Sequence, residues 1–101
     1  MLKSFEFDCM YYERPADILR VLGHPMRLVI VRELITKGPL NVSELQKLVC
    51  APQSTVSQQL TKLRFFKIVS YGRRGTEIYY SVHDEDVIQV IKSLGLLEDL
   101  G

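Results

Sequence analysis

The chain has 101 residues, 47% of them apolar and 25% charged, with a formal net charge of +1 and two cysteines. That length fits one domain over residues 1–101 with one core. An ordinary charged share argues against disorder, no apolar run approaches the ~18 residues of a membrane span, and no basic-then-apolar opening marks secretion. Two cysteines are too few for a disulfide scaffold and no Cys-x-x-Cys or His-rich cluster occurs, so the expectation is a cytoplasmic, disulfide-independent domain with no cofactor, metal or membrane partner.

Charge is unevenly distributed. Residues 1–13 carry one basic and three acidic side chains, a net of −2. Residues 14–75 carry 11 basic and 3 acidic side chains, a net of +8. Residues 76–101 carry one Lys and six acids, a net of −5. A basic middle between acidic ends points to a surface polarised toward a polyanion.

In residues 2–12, Leu2, Phe5, Cys9 and Tyr12 recur at steps of 3, 4 and 3, which predicts an amphipathic helix. Pro15 suits the first turn of a helix that carries Ile18, Val21 and Leu22 on its apolar face. Gly23 interrupts, and Pro25 opens a further helix through Lys37. Met26, Leu28, Val29, Ile30, Val31, Leu34 and Ile35 make it apolar on nearly every side, as a central core helix would be. Gly38-Pro39 stops it. Asn41 and Glu44 have capping-box spacing, and Val42, Leu45, Leu48 and Val49 form the buried stripe of a short helix. Cys50-Ala51-Pro52 is a break. From Gln53 to about Phe66, Val56, Leu60 and Leu63 mark the inner face of another helix. Its other face holds Gln53, Ser54, Thr55, Ser57, Gln58, Thr61 and Lys62, mostly groups that both donate and accept hydrogen bonds. The period then changes. Residues 68–71 and 77–82 are β-branched and aromatic and flank Gly72-Arg73-Arg74-Gly75, predicting a β-hairpin with a basic tip. Asp84, Glu85 and Asp86 suit the start of a last helix with Val87, Ile88, Ile91, Leu94 and Leu97 on its apolar face.

A short helix, a tight break and a polar-faced helix form a helix-turn-helix, and the hairpin after it is a wing. The predicted fold class is therefore mainly α with a small β-hairpin. Base edges in the DNA major groove are read by side chains that donate and accept, with Gln suited to adenine and Ser or Thr adaptable. Gln53, Ser54, Thr55, Ser57 and Gln58 fit that role, and Thr61 is a further DNA-binding candidate on the same face. Lys62, Arg64 and Lys67 can hold phosphates, and Arg73 and Arg74 can reach a flanking backbone or the minor groove. A solvated helix face or a basic turn is common on protein surfaces. Their combination with the net +8 of the middle segment favours double-stranded DNA as partner.

Three stretches carry a resemblance: Leu22-Gly23-His24-Pro25-Met26-Arg27-Leu28, Gln53-Ser54-Thr55-Val56-Ser57-Gln58-Gln59-Leu60, and Gly75-Thr76-Glu77-Ile78-Tyr79-Tyr80-Ser81. Each is weak alone; in this order and spacing, over about residues 16–92, they are specific. The chain resembles the ArsR/SmtB family of bacterial winged-helix repressors. Within it the match is nearest the branch that lacks metal sites and contains the anthrax toxin-gene repressor. The resemblance implies a transcriptional repressor, homodimeric through its first and last helices, on a near-palindromic operator. Two reading helices then sit about one DNA turn apart, ~34 Å. The apolar stripes of the first and last segments, more than one small core obviously buries, also suit a dimer.

Metal-sensing members of the family use a Cys-x-Cys pair where this sequence has Asn41-Val42-Ser43. A second site uses Asp and His at the start of the last helix and two His further along it. Here Asp84 and Asp86 meet Leu97 and Leu100, a poor zinc set. His24 and His83 are isolated. Cys9 and Cys50 remain as a thiol switch, with Cys50 in the turn before the reading helix. The competing reading of Cys9, on an apolar stripe, is a small buried hydrophobe. Two other functions fit the same fold: a winged-helix protein-interaction module that has lost DNA binding, and a metal-responsive repressor with a non-standard site. No nucleophile with a base, paired carboxylates in an apolar setting or Gly-rich phosphate loop suggests an enzyme.

Overall fold

The computed structural model describes residues 9–98, as five helices and one antiparallel hairpin. The predicted helix over residues 2–12 lies mostly outside the described residues. Its last part, residues 9–12, is a turn, with Cys9 and Tyr12 exposed.

Helix α1 (Glu13–Leu22) has Pro15 in its first turn and buries Ile18, Val21 and Leu22. Helix α2 (Pro25–Lys37) starts where His24 Nδ1 accepts the Met26 amide at 3.2 Å. The isolated histidine of the sequence is thus an N-cap, and Pro25 follows it at a position whose own N–H would have no helical partner. Ile30, Val31 and Leu34 of α2 are buried, and the helix touches α1 and every later helix. Helix α3 (Val42–Val49) has its full capping box: Asn41 Oδ1 accepts from the Glu44 amide at 2.8 Å, and Glu44 Oε1 accepts from the Asn41 amide at 2.9 Å. Of its expected stripe Leu45 is buried, Val42 and Val49 are half-buried, and Leu48 is exposed. A helix of eight residues has room for one fully buried row.

Helix α4 (Gln53–Phe65) puts Val56, Leu60 and Leu63 into the core. It ends in a Schellman motif: Ile68 N–H donates to Leu63 O at 2.9 Å and Lys67 N–H to Arg64 O at 2.9 Å, with Lys67 left-handed at φ 56. Strands β1 (Ser70–Arg74) and β2 (Glu77–Ser81) then pair from Ser70 with Ser81 to Arg74 with Glu77. Strand β1 begins two residues later than the sequence predicts. Ile68 and Val69 precede the strand and are core residues, and their β-branched character serves burial. Gly72, Arg73 and Arg74 lie within β1, and the loop is only Gly75-Thr76. Gly75 sits at φ 62, the conformation a two-residue hairpin turn demands at its first position.

Helix α5 (Glu85–Ser93) is capped by Asp84, whose Oδ1 accepts from the amides of Asp86 and Val87. Val87 and Ile91 are buried, whereas Leu94, expected on the same face, is exposed. One core joins the five helices to Leu40, Ile68, Val69, Tyr80 and Val82. Leu40, in the loop between α2 and α3, exchanges two backbone hydrogen bonds with Tyr80 at 2.9 and 3.0 Å. That bridge fastens the hairpin to the helical body.

Candidate nucleic-acid interface

The burial of Val56, Leu60 and Leu63 dictates which face of α4 turns outward. Gln53, Ser54, Gln58, Thr61 and Lys62 are exposed, and Thr55, Ser57 and Arg64 are half-buried. The structure therefore gathers the α4 residues singled out by the sequence onto one accessible side. Thr61 has already used its hydroxyl proton, donating to Ser57 O at 2.9 Å, so it offers lone pairs and a methyl group. Gln59, one position from Gln58, belongs to the scaffold: its Oε1 accepts from Arg27 Nε at 2.8 Å. No side chain caps the first turn of α4, because the N-cap is Pro52. Its leading N–H groups are left for solvent or an anion.

One residue on this face escaped the sequence reading. From Ser54, steps of 3, 4 and 4 lead through Ser57 and Thr61 to Phe65, which is 77% exposed. Helical stepping alone would have found it. Phe65 continues the polar stripe with an apolar group beside Arg64 and the wing residue Tyr71.

The basic residues divide by what they touch. Arg64 lies over the Tyr71 ring, 3.7 Å from its centroid, and so links α4 to β1. The polar contact with Tyr71, opposed by a small burial cost, pushes the Arg64 pKa further up from its ordinary value. Arg73 and Arg74 are not a paired tip. Successive strand residues face opposite sides. Arg73 stands opposite Ile78 on the side of Tyr71 and Tyr80, while Arg74 stands opposite Glu77 with its guanidinium 4.8 Å from the Tyr79 ring centroid. Tyr79 OH in turn accepts a long hydrogen bond, 3.4 Å, from Asn41 Nδ2 at the start of α3. Among the described residues, Lys47, Lys62, Lys67 and Arg73 make no side-chain hydrogen bond or ion pair. Several other cations of the basic middle segment have internal work. Arg14 joins three elements, Arg20 pairs with Asp17, Arg27 holds Gln59, and Arg32 and Lys37 flank Glu33.

Cys9 and Cys50 are both free and exposed in the single chain. Cys50 ends α3 in the left-handed region at φ 54. Asp84 commits Oδ1 to the α5 amides and Oδ2 to Arg14, while Asp86 is exposed. His83 is exposed, its Nε2 3.0 Å from Ser81 Oγ. Among the described residues no three His, Cys, Asp or Glu side chains gather as a metal site would require, and no helix there is long and apolar enough to cross a membrane.

A helix-turn-helix followed by a hairpin bonded back to its body is a winged helix-turn-helix, a DNA-binding class of fold. Residues 22–64 match the model of a helix-turn-helix domain family. The transcriptional repressor PagR of Bacillus anthracis is 41% identical over 92% of this chain and 93% of its own length. The regulator NmtR of Mycobacterium tuberculosis is 40% identical over 87% of this chain and 72% of its own. The crystal structure of PagR superposes with a TM-score of 0.79 at 45% identity, covering 84% of this chain and 97% of that one. That of the repressor BigR from Xylella fastidiosa gives 0.76 at 31% identity, covering 93% and 92%. The chain belongs to the ArsR/SmtB family of winged-helix transcriptional regulators.

Proposed function

We propose that this protein is a homodimeric transcriptional repressor that reads a near-palindromic operator with α4 and its wing. The observation that carries the reading is the exposed side of α4, where Gln53, Ser54 and Gln58 stand together above a buried Val56-Leu60-Leu63 row. Gln58 and Gln53 supply paired donors and acceptors for base edges. Lys62, Lys67 and Arg73, without internal partners among the described residues, supply phosphate contacts. Arg64 and Arg74 meet DNA from aromatic supports.

The expected first helix, over residues 2–12, lies mostly outside the described residues, and the described part of the dimer face is α1 with α5. An apolar groove of about 540 Å³ runs between them, lined by Tyr11, Ile18, Leu19, Val90 and Leu94 among others. Tyr11, Leu19 and Leu94 are 75%, 62% and 57% exposed. Large apolar side chains clustered at one groove favour a self-complementary contact. The exposure of both thiols supports a redox-responsive form, in which oxidation at Cys9 and Cys50 weakens operator binding.

The test is affinity for the gene's own upstream duplex and a scrambled control across a salt series, with reduced and oxidised protein in parallel. Sequence-specific binding whose log affinity falls steeply with log salt is expected. Salt-insensitive association with a protein and no DNA affinity would replace this reading with an interaction module. Equal affinity after quantitative oxidation would remove the redox element alone.

A further inference from the structure

Arg14 belongs to α1, yet its guanidinium is spent elsewhere. Nη1 donates to Phe66 O, and Nη2 donates to Lys67 O at 2.9 Å and to Asp84 Oδ2 at 3.0 Å. These partners lie 52, 53 and 70 residues away in sequence. The Schellman motif at the end of α4 uses the carbonyls of Leu63 and Arg64, and Lys62 O takes the Phe66 amide. It leaves those of Phe66 and Lys67 without a helical partner, and these two are the ones Arg14 takes. The cation also sits at the negative end of the α4 dipole. Asp84 caps α5 with one carboxylate oxygen and leaves the other for Arg14. A second arginine works at the other end of α1: Arg27 donates from Nε to Gln59 of α4 at 2.8 Å and from Nη1 to Val21 O at 3.1 Å. The reading helix is thus tied to α1 at two points, and one of them includes the start of α5.

We propose that Arg14 is a positioning residue that fixes α4 relative to the α1–α5 face, and thereby sets the distance between the two reading helices of the dimer. This rests on the dimeric, DNA-reading function proposed above. Arg14 touches no reading residue. It governs which half-site spacing the dimer accepts, while the half-site word stays with Gln53, Ser54 and Gln58. A planar fork bridging two carbonyls and a carboxylate is a task that lysine cannot reproduce.

The experiment uses the full chain with Cys9→Ser, leaving the exposed Cys50 ahead of α4 as a spin-label site. Pulsed dipolar spectroscopy then reads the distance between the two labels of a dimer without DNA. A narrow distribution is expected in the parent and a broad one in Arg14→Gln, with Arg14→Lys between them. Arg20→Gln, whose partner Asp17 is on the same helix, should match the parent. In parallel, unlabelled protein selects duplexes from a random pool. The parent should return inverted half-sites at one spacing. Arg14→Gln should return the same half-site word at several spacings, and its affinity at the parental spacing should drop by about tenfold as simultaneous engagement is lost. An unchanged distribution and a single retained spacing would overturn the proposal. So would loss of the word together with the spacing in both Arg14 variants, which would make the residue a stabiliser only. A parent with no inter-label distance, or one that selects no word, would instead refute the dimeric repressor on which the proposal stands.

Discussion

Arg73 and Arg74 are neighbours in sequence, but the hairpin gives them different electrostatic settings, and their alanine variants should separate accordingly. Arg73 has no internal partner among the described residues. Arg74 makes no ion pair among the described residues, Glu77 being only its cross-strand neighbour, but its guanidinium lies 4.8 Å from the Tyr79 ring centroid and is partly held by it. Each phosphate contact contributes ~0.9 to the slope of log affinity against log salt. A dimer presents Arg73 twice, so Arg73→Ala should flatten the slope by about 1.8, or about tenfold in salt sensitivity between roughly 50 and 200 mM. Arg74→Ala should flatten it by less. Both side chains are exposed, so unfolding stability should stay within about 0.5 kcal/mol of the parent. Fluorescence anisotropy on one duplex at five salt concentrations, with urea unfolding alongside, measures both quantities. The reasoning fails if Arg73→Ala leaves the slope unchanged, or if it alters which sequence is preferred.

Three further outcomes are expected. Gln58→Ala should change base preference at one position of each half-site, by about 1–3 kcal/mol for a bidentate contact, with little effect on the salt slope; selection from a randomised duplex measures it. Asp84→Ala removes the α5 cap and a partner of Arg14, and should cost about 0.5–2 kcal/mol in urea unfolding. Burial raises the Asp84 pKa, but the hydrogen bonds from Arg14 and from the Asp86 and Val87 amides outweigh it, so the net shift is downward. A carboxylate lowered on folding lends stability above its unfolded pKa and loses it as pH falls through the folded one. The parent should therefore weaken below about pH 4, and Asp84→Ala should show a shallower acid limb in unfolding titrations. Leu94→Asp, at an exposed position in the α1–α5 groove, should sediment as a monomer at concentrations where the parent is a dimer, with helical circular dichroism retained.

Features governed by neighbours in sequence were legible in advance. The Asn41–Glu44 box, the Gly38-Pro39 stop, the Asp84 cap and the inner row of α4 follow rules that span a turn or two of chain. The first strand begins two residues later than predicted because Ile68 and Val69 are β-branched for the sake of the core, a distinction composition does not make, whereas the second strand starts at Glu77 as predicted. Gly72-Arg73-Arg74-Gly75 reads as a loop, yet Gly72 pairs across the sheet with Tyr79 and only Gly75 is needed for the turn. The net charge of the middle segment overstated the surface facing a polyanion. Arg14, Arg27 and Arg32 meet partners 52, 32 and 64 residues away, which no local pattern announces. Phe65 is an exposed aromatic on a polar stripe, and neither an apolar row nor a polar-face pattern selects such a residue.

The reading helix lies between two residues in the left-handed region, Cys50 at φ 54 and Lys67 at φ 56. Neither is glycine, so each carries a steric cost of about 1–2 kcal/mol that the surrounding structure must hold in place. The path by which the chain enters and leaves α4 is therefore decided at its two margins. Gln53, Ser54 and Gln58, which face outward between them, bear little of the fold. New operator preferences can accordingly arise by exchange of those few side chains, as letters change in a fixed type-holder, while descendants of this scaffold keep the same mount.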